Sequence, residues 1–150
     1  MPTTDLDRAL FDSAEEVLEN MFFTGIAAGG PPCPGIVGPW ISARLSFRGN
    51  PSGTFGVSVP LETGRKIAAS FLGMDADAVT EPQTGEVICE LANMLCGSVL
   101  SRVEKEVRFD LSHPELETPG GGCAVEHTAG RQFVLEDAQL VVWLDLGLAP

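Results

Sequence analysis

Two runs of alternating apolar and polar residues, separated by a short turn sequence, constrain the fold of this chain more than any other feature. The first run occupies residues 41–47, the sequence Gly-Asn-Pro-Ser-Gly occupies residues 49–53, and the second run occupies residues 55–59. Successive side chains of a strand point to opposite faces, so the alternation predicts two strands that each have one apolar face. Because short turns join antiparallel neighbours, the sequence predicts a β-hairpin with one face exposed to water.

Three other segments have the periodicity of helices. Apolar residues at helical spacing predict a first helix at about residues 4–24 and a second at residues 61–72, where a glycine follows. Thr80 followed by Pro82 is typical of a helix start, and the third and longest helix is expected to end near Glu104.

The remaining chain is predicted to contain four more strands and one irregular segment. Alternation of apolar residues predicts strands at residues 107–111, 124–128, 131–136 and 138–146. Residues 27–39 are rich in glycine and proline and are expected to be irregular. Strands joined by short turns pair antiparallel, so we expect an α+β fold in which three helices pack on an antiparallel six-stranded sheet.

The last predicted strand contains an unusual apolar segment. Residues 140–144, Leu-Val-Val-Trp-Leu, are apolar on both faces of the strand. Such a segment indicates either a central strand of the sheet or a strand that is covered by another subunit.

Composition predicts one domain and disfavours two classes of partner. The 150 residues are 44% hydrophobic, which is enough for one core, and we interpret residues 1–150 as a single domain. The formal net charge of -12 repels phosphate backbones and anionic lipids, so neither nucleic acid nor a membrane is an expected partner. The N-terminal residues lack the pattern of a secretory signal, and we expect a cytoplasmic protein.

The cysteine and histidine residues show no pattern typical of a metal site. None of the four cysteines has a C-x-x-C partner, and we interpret all four as reduced thiols. His113 and His127 lack neighbouring ligands at the usual spacing, so no metal is expected to bind this chain. Ser112 and His113 are adjacent in a predicted strand region, which would direct their side chains to opposite faces and excludes a nucleophile and base pair.

The long third helix contains the candidate site. Its apolar residues gather on one stripe, whereas Glu86, Glu90, Asn93 and Gly97 gather on nearly the opposite stripe. An acid and a carboxamide one turn apart, at Glu90 and Asn93, would reach together into a partner's pocket. Gly97 would either leave space for that partner or allow another helix to pack closely. Taken without further context, a solvated helix face also explains these residues.

The segment around this pair has a counterpart in the first helix. Residues 17–22, Val-Leu-Glu-Asn-Met-Phe, align with residues 90–95, Glu-Leu-Ala-Asn-Met-Leu, and each segment is followed by a loop and an alternating strand. This similarity predicts an internal repeat with pseudo-twofold symmetry. Because the first copy has Val17 where the second has Glu90, we expect one site per chain.

In these residues the sequence resembles the CheX branch of the CheC, CheX and FliY chemotaxis phosphatase family. The family signature is E-x-x-N on a long helix, which is Glu90-Leu-Ala-Asn93 here, and further similarity lies in residues 14–23, around the predicted turn and in residues 68–73. The resemblance implies a CheC-like fold and a homodimer. It also implies a phosphatase that acts on the aspartyl phosphate of a response regulator such as CheY.

The resemblance further implies roles for individual residues. Asn93 would orient the attacking water, and Glu90 would pair with the active-site lysine of the regulator. Pro114 and Gly97 would contribute to docking of the regulator. Magnesium would be bound by the regulator, so this chain itself would hold no cofactor. Glu86 stands where family members often have Asp or Ser, and it would either extend the acidic face or crowd the lysine.

Two functional hypotheses are consistent with the sequence. In the first, the chain is a protein aspartyl-phosphate phosphatase with Glu90 and Asn93 as its acting pair. In the second, it is a docking module that binds a response regulator or another signalling partner without accelerating hydrolysis, because a substitution such as Glu86 has altered the site.

Overall fold

Three helices and one sheet make up the part of the chain that the computed structural model describes, which is residues 3–21, 28–30, 40–49, 52–103, 109–117, 129–135 and 138–146. The helices are α1 (Thr3–Met21), α2 (Leu61–Leu72) and α3 (Glu81–Val103), with a short 3-10 turn at Ala76–Ala78. The strands are β1 (Ala28–Gly30), β2 (Trp40–Arg48), β3 (Gly53–Pro60), β4 (Asp110–Leu111), β5 (Glu115–Glu117), β6 (Ala129–Leu135) and β7 (Ala138–Leu146).

The strands form one antiparallel sheet. Their order is β1-β6-β7-β3-β2-β4, and β5 also pairs with β2. The predicted hairpin is confirmed as β2 and β3, in which Ala43 lies opposite Val57 and Leu45 lies opposite Phe55. On its other side β2 pairs with β5 through residues 42–44 and with β4 through residues 47–48. The hairpin therefore connects the middle of the sheet to the edge formed by two short strands.

The prediction of six strands was wrong, because the described residues form a seven-stranded sheet. Near Leu111 the chain forms two short strands instead of one, β4 and β5, on either side of Pro114, whose ring nitrogen has no hydrogen to donate to a neighbouring strand. The segment expected to be irregular contains β1, which pairs with β6. Its Ala-Gly-Gly sequence has no alternation of apolar and polar residues that would predict a strand. The strand predicted at residues 124–128 lies outside the described residues.

The predicted α+β class is confirmed, with the helices on one face of the sheet. The apolar residues of the hairpin and of β7 that share this face are buried in a single cluster with apolar residues of α1, α2 and α3. The register explains the shared face, because Val57 lies opposite both Ala43 and Val142, and Phe55 lies opposite Leu144. One layer of helices on one sheet thus supplies the covering that the alternating pattern required.

The order of the strands has an approximate twofold symmetry. Elements α1, β1, β2 and β3 of the first half correspond to α3, the β4 and β5 pair, β6 and β7 of the second half. In the sheet, β3 and β7 lie side by side at the centre, with β2 and β6 outside them and the short strands at the edges. This order agrees with the predicted internal repeat, and the repeat itself stays a prediction.

The apolar segment at residues 140–144 lies in a central strand. β7 is placed between β6 and β3, and the side chains of Leu140, Val142 and Leu144 are buried against the helices. Trp143 points to the opposite face and is only 7% exposed, because its indole lies across Gly56 on β3. The fold of one chain therefore accounts for the apolar character of the segment.

Candidate functional site

The start of α3 is fixed by a reciprocal capping interaction. The Thr80 backbone N–H donates to Oε1 of Gln83 at 2.9 Å, and the Gln83 backbone N–H donates to Oγ1 of Thr80 at 3.2 Å. Such a capping box satisfies backbone N–H groups that have no partner within the first turn of a helix. Because the helix start is fixed, the direction of every later side chain on α3 is fixed as well.

The two faces of α3 differ as the sequence predicts. Val87, Ile88 and Leu91 are buried in the core, whereas Glu86 and Glu90 are exposed. Asn93 is half-buried on the same outer stripe. Among the described residues, no side-chain hydrogen bond or ion pair engages Glu90 or Asn93. Their polar groups are therefore available to a partner.

A second wall faces this stripe of α3 and is formed by the segment from β4 to β5. The segment is attached to β2 by two hydrogen bonds of 2.8 Å, in which the Ser112 N–H donates to the Ser46 carbonyl oxygen and the Ser46 N–H donates to Oγ of Ser112. Further along, Leu116 of β5 lies opposite Ala43 of β2. Pro114 is thus held between two anchored points.

Between the two walls lies a groove of about 660 Å³. It brings together four residues predicted to form the site, which are Glu86, Glu90, Asn93 and Pro114. Gly97 does not line the groove. A Cβ at Gly97 would have no described neighbour within 4 Å, so no helix among the described residues packs closely against this glycine.

Several groove residues were not predicted from the sequence. From α3 they are Pro82, Gly85 and Cys89, and from the second wall they are Leu111, Ser112, His113 and Leu116. Pro82 and Cys89 could have been found, because Pro82 stands four residues before Glu86 and Cys89 four residues before Asn93, a spacing that places each pair on one helix surface. The second wall gave no such signal, since its position depends on pairing with β2.

The two walls approach each other closely at Gly85. A Cβ at this position would lie 2.6 Å from Cδ1 of Leu116, which is well inside ordinary van der Waals contact. The absence of a side chain at Gly85 therefore allows Leu116 to lie directly against α3.

The charge of the groove comes from its carboxylates. Burial, and then the negative charge of Glu86, raise the pKa of the Cys89 thiol, so this thiol is neutral near neutral pH. Burial alone raises the pKa of Cys96 to about 12. Both cysteines are free thiols, as predicted, and the other two cysteines of the chain lie outside the described residues.

The described residues contain no group of three or more His, Cys, Asp or Glu side chains that could hold a metal ion. Within the same ranges, no helix has the length and the apolar character that a membrane span requires.

The hydroxyl of Ser112 accepts a backbone hydrogen bond and so has a structural role, and His127 lies outside the described part of the chain. The groove therefore offers a carboxamide and exposed carboxylates, which suit a cationic partner and a positioned water.

The fold is similar to several solved structures. One is a chain of the CheX-CheY-BeF3-Mg complex from Borrelia burgdorferi, with 17% identity and a TM-score of 0.72, and the match covers 94% of this chain and 97% of that one. CheX from Vibrio vulnificus has 16% identity and a TM-score of 0.74, with 98% and 99% covered. FliY from Thermotoga maritima has 11% identity and a TM-score of 0.63, with 97% and 89% covered.

Comparison with sequence families gives the assignment. No curated protein sequence matches this chain significantly. The model of the family described as chemotaxis phosphatase CheX matches residues 41–136, which is more than half of the chain and includes the hairpin, α3 and the second wall of the groove. The chain belongs to the chemotaxis phosphatase CheX family.

Proposed function

We propose that this chain accelerates hydrolysis of the aspartyl phosphate of a CheY-like response regulator. The observation that supports this most directly is that Glu90 and Asn93, the signature pair, lie on one open groove and have no side-chain partner in the described part of the chain. Membership of the CheX family supports the reaction. The similar structure from Borrelia burgdorferi, which contains CheX together with CheY, BeF3 and magnesium, supports the class of partner.

In this proposal Asn93 positions the attacking water. Phosphoryl transfer has a loose transition state, so alignment of the water and stabilisation of charge account for most of the catalysis. A carboxamide can accept a hydrogen bond from water through its oxygen and donate one through its nitrogen. Asn93 is half-buried and lines the groove, so its carboxamide would contact a water held between the two walls.

Glu90 has a different role, which is to bind the regulator's lysine. Its carboxylate is exposed and lies one helical turn from Asn93, so a lysine held there would place the phosphoryl group near the carboxamide. Magnesium would be bound by acidic residues of the regulator, and we propose that this chain holds no cofactor of its own. Pro114 would contact the regulator from the second wall, and the open space at Gly97 would leave room for it.

The test compares two asparagines of the same protein. Response regulators from the same source are charged with acetyl phosphate, and phosphate release is followed with wild type, with Asn93→Ala and with Asn20→Ala. Asn20 is exposed on α1 at the position that aligns with Asn93, so it is a matched control. Loss of one positioning group typically lowers the rate about 100- to 1,000-fold, and we expect this for Asn93→Ala alone.

The outcome that contradicts the assignment of Asn93 is an accelerated release that survives Asn93→Ala. Equal losses in both variants would point to a shared effect on folding, which circular dichroism of each variant would detect. If Asn20→Ala alone lost the activity, the acting helix would be α1 and the proposal of one site on α3 would be wrong.

A second candidate function is a docking module that does not accelerate hydrolysis. The observation that favours it is Glu86, a second exposed carboxylate on the same groove and one turn before Glu90. Two neighbouring carboxylates would compete for one lysine and could hold the regulator out of alignment. Binding of a regulator without any acceleration by the wild type, together with acceleration by Glu86→Ser, would support this second function.

We further propose that the chain forms a homodimer. The resemblance to CheX proteins supports this assembly, whereas the apolar segment of β7 is already buried within one chain and gives no separate support.

A further inference from the structure

The two walls of the groove differ in chemistry. The α3 wall presents the carboxylates of Glu86 and Glu90 and the carboxamide of Asn93. The opposite wall presents apolar groups from Leu111, Pro114 and Leu116, and Pro82 extends this apolar surface onto the start of α3. A partner that fills the groove would therefore meet two carboxylates on one side and, on the other, a largely apolar wall that also contains Ser112 and His113.

Leu116 is the most exposed part of this apolar wall. Half of its surface, 50%, is exposed, and Leu72 at 40% is the other large apolar side chain that is exposed among the described residues. A single exposed leucine has little significance, but Leu116 is continuous with other apolar residues that border a polar pair. The surroundings of Leu116 are therefore typical of a residue that contacts a partner.

The position of Leu116 is fixed although its side chain is exposed. Its backbone lies in β5, where the residue pairs with Ala43 of the hairpin. Its side chain rests against Gly85, where a Cβ would lie 2.6 Å from Cδ1 of Leu116. A side chain held on two sides loses little conformational freedom on binding, which favours its use as a contact.

We infer that Leu116 is a docking residue that contacts an apolar side chain of the response regulator beside the lysine bound by Glu90. This inference rests on the proposed function for its partner. The carboxylates of the groove complement a lysine, and the apolar wall complements a neighbouring hydrocarbon surface on the same protein. Because Leu116 has no polar atom in its side chain, it contributes to affinity and leaves the chemical step to Asn93 and Glu90.

The test separates binding from catalysis in two variants and one control. Leu116→Ala removes the contact, and Gly85→Ala displaces it, since the new methyl group would lie only 2.6 Å from Cδ1 of Leu116. Leu72→Ala is the matched control, because it removes a comparably exposed leucine outside the groove. Phosphate release is measured over a range of phosphorylated regulator, and binding is measured by calorimetry with the beryllofluoride-treated regulator.

We expect Leu116→Ala to raise the Kd for the regulator about fivefold, and to raise the regulator concentration that gives the half-maximal rate by the same factor, because the variant no longer buries about half of a leucine side chain on binding. The maximal rate should be retained. Gly85→Ala should act in the same direction, and Leu72→Ala should match wild type. An unchanged Kd for Leu116→Ala, or a lower maximal rate at an unchanged half-maximal concentration, would overturn the inference.

The proposed function can fail separately from this inference. Should the wild type bind the regulator without accelerating hydrolysis, the phosphatase proposal is wrong, and weaker binding by Leu116→Ala still supports the docking role. Should the wild type neither bind nor act on any regulator of its source, both are wrong.

Discussion

Replacing Gly56 with alanine should destabilise the protein strongly, because the indole of Trp143 occupies the space that the new methyl group needs. A Cβ at Gly56 would lie 2.0 Å from Cζ2 and 2.2 Å from Cε2 of Trp143. Carbon atoms in contact are usually about 3.5 to 4.0 Å apart, so the overlap exceeds 1 Å. Gly56 lies in the central strand β3, between Arg44 on β2 and Trp143 on β7, and cannot move away without disturbing both neighbours.

The magnitude follows from two limits. Small shifts that relieve overpacking typically cost about 1 to 3 kcal/mol. At the other limit the indole leaves its site, where Trp143 is now only 7% exposed. A buried aromatic side chain of about 200 Å² at about 25 cal/mol per Å² corresponds to about 5 kcal/mol. Since both neighbouring strands restrain the backbone, we expect Gly56→Ala to lower the free energy of unfolding by about 3 to 5 kcal/mol.

The assay is urea denaturation followed by tryptophan emission. The chain has two tryptophans, so a Trp40→Phe background leaves Trp143 as the only emitter. We expect a lower denaturation midpoint and emission at longer wavelength for the folded variant, because the displaced indole would contact water. Adding Trp143→Leu to Gly56→Ala should make the combined loss smaller than the sum of the two single losses; circular dichroism follows these variants, because no tryptophan then remains in the Trp40→Phe background.

Gly97→Ala is the matched control, since it makes the same change where a Cβ would have no described neighbour within 4 Å. Gly97 lies within α3, where alanine is favoured over glycine by about 1 kcal/mol, so this variant should be more stable than wild type. A loss below about 1 kcal/mol for Gly56→Ala, with unchanged emission, would refute the reasoning about Trp143.

Two further predictions concern assembly and helix packing. Light scattering at micromolar concentration should give twice the mass of one chain if the proposed homodimer forms, and the mass of one chain would exclude it at that concentration. The buried hydroxyl of Ser13 accepts hydrogen bonds from Ser98 Oγ at 3.0 Å and from Arg102 Nε at 3.1 Å, which join α1 to α3. Ser13→Ala should therefore lower the free energy of unfolding by about 2 kcal/mol, whereas Ser101→Ala on the exposed side of α3 should change it little; equal effects in urea denaturation would argue against this network.

Local patterns in the sequence predicted the helices well, and for identifiable reasons. The second helix ends at Gly73, which has a φ of 68° and so adopts the left-handed conformation that favours glycine. The start of α3 depends on Thr80 and Gln83, which are three residues apart. Both signals lie within one turn of the boundary that they determine, and a single sequence is sufficient to identify them.

Weak or absent local patterns in the sequence account for the errors in the predicted number and position of the strands. β1 has the sequence Ala-Gly-Gly, and it belongs to the sheet only because β6 supplies backbone partners about one hundred residues later in the chain. The two-residue strand β4 is too short for any alternation to be recognised. In each case the hydrogen bonds that define the strand come from a distant segment.

The sequence by itself determined that Glu90 and Asn93 share the outer face of α3, because helical periodicity and the capping at Thr80 fix the direction of each side chain. Only the tertiary structure decided what faces them. Pro114 and Leu116 reach the groove because β5 pairs with β2, and Gly85 allows the two walls to touch. Periodicity specifies which face of an element is buried, whereas the pairing of distant strands specifies which elements meet, and the second wall of this site depends on that pairing.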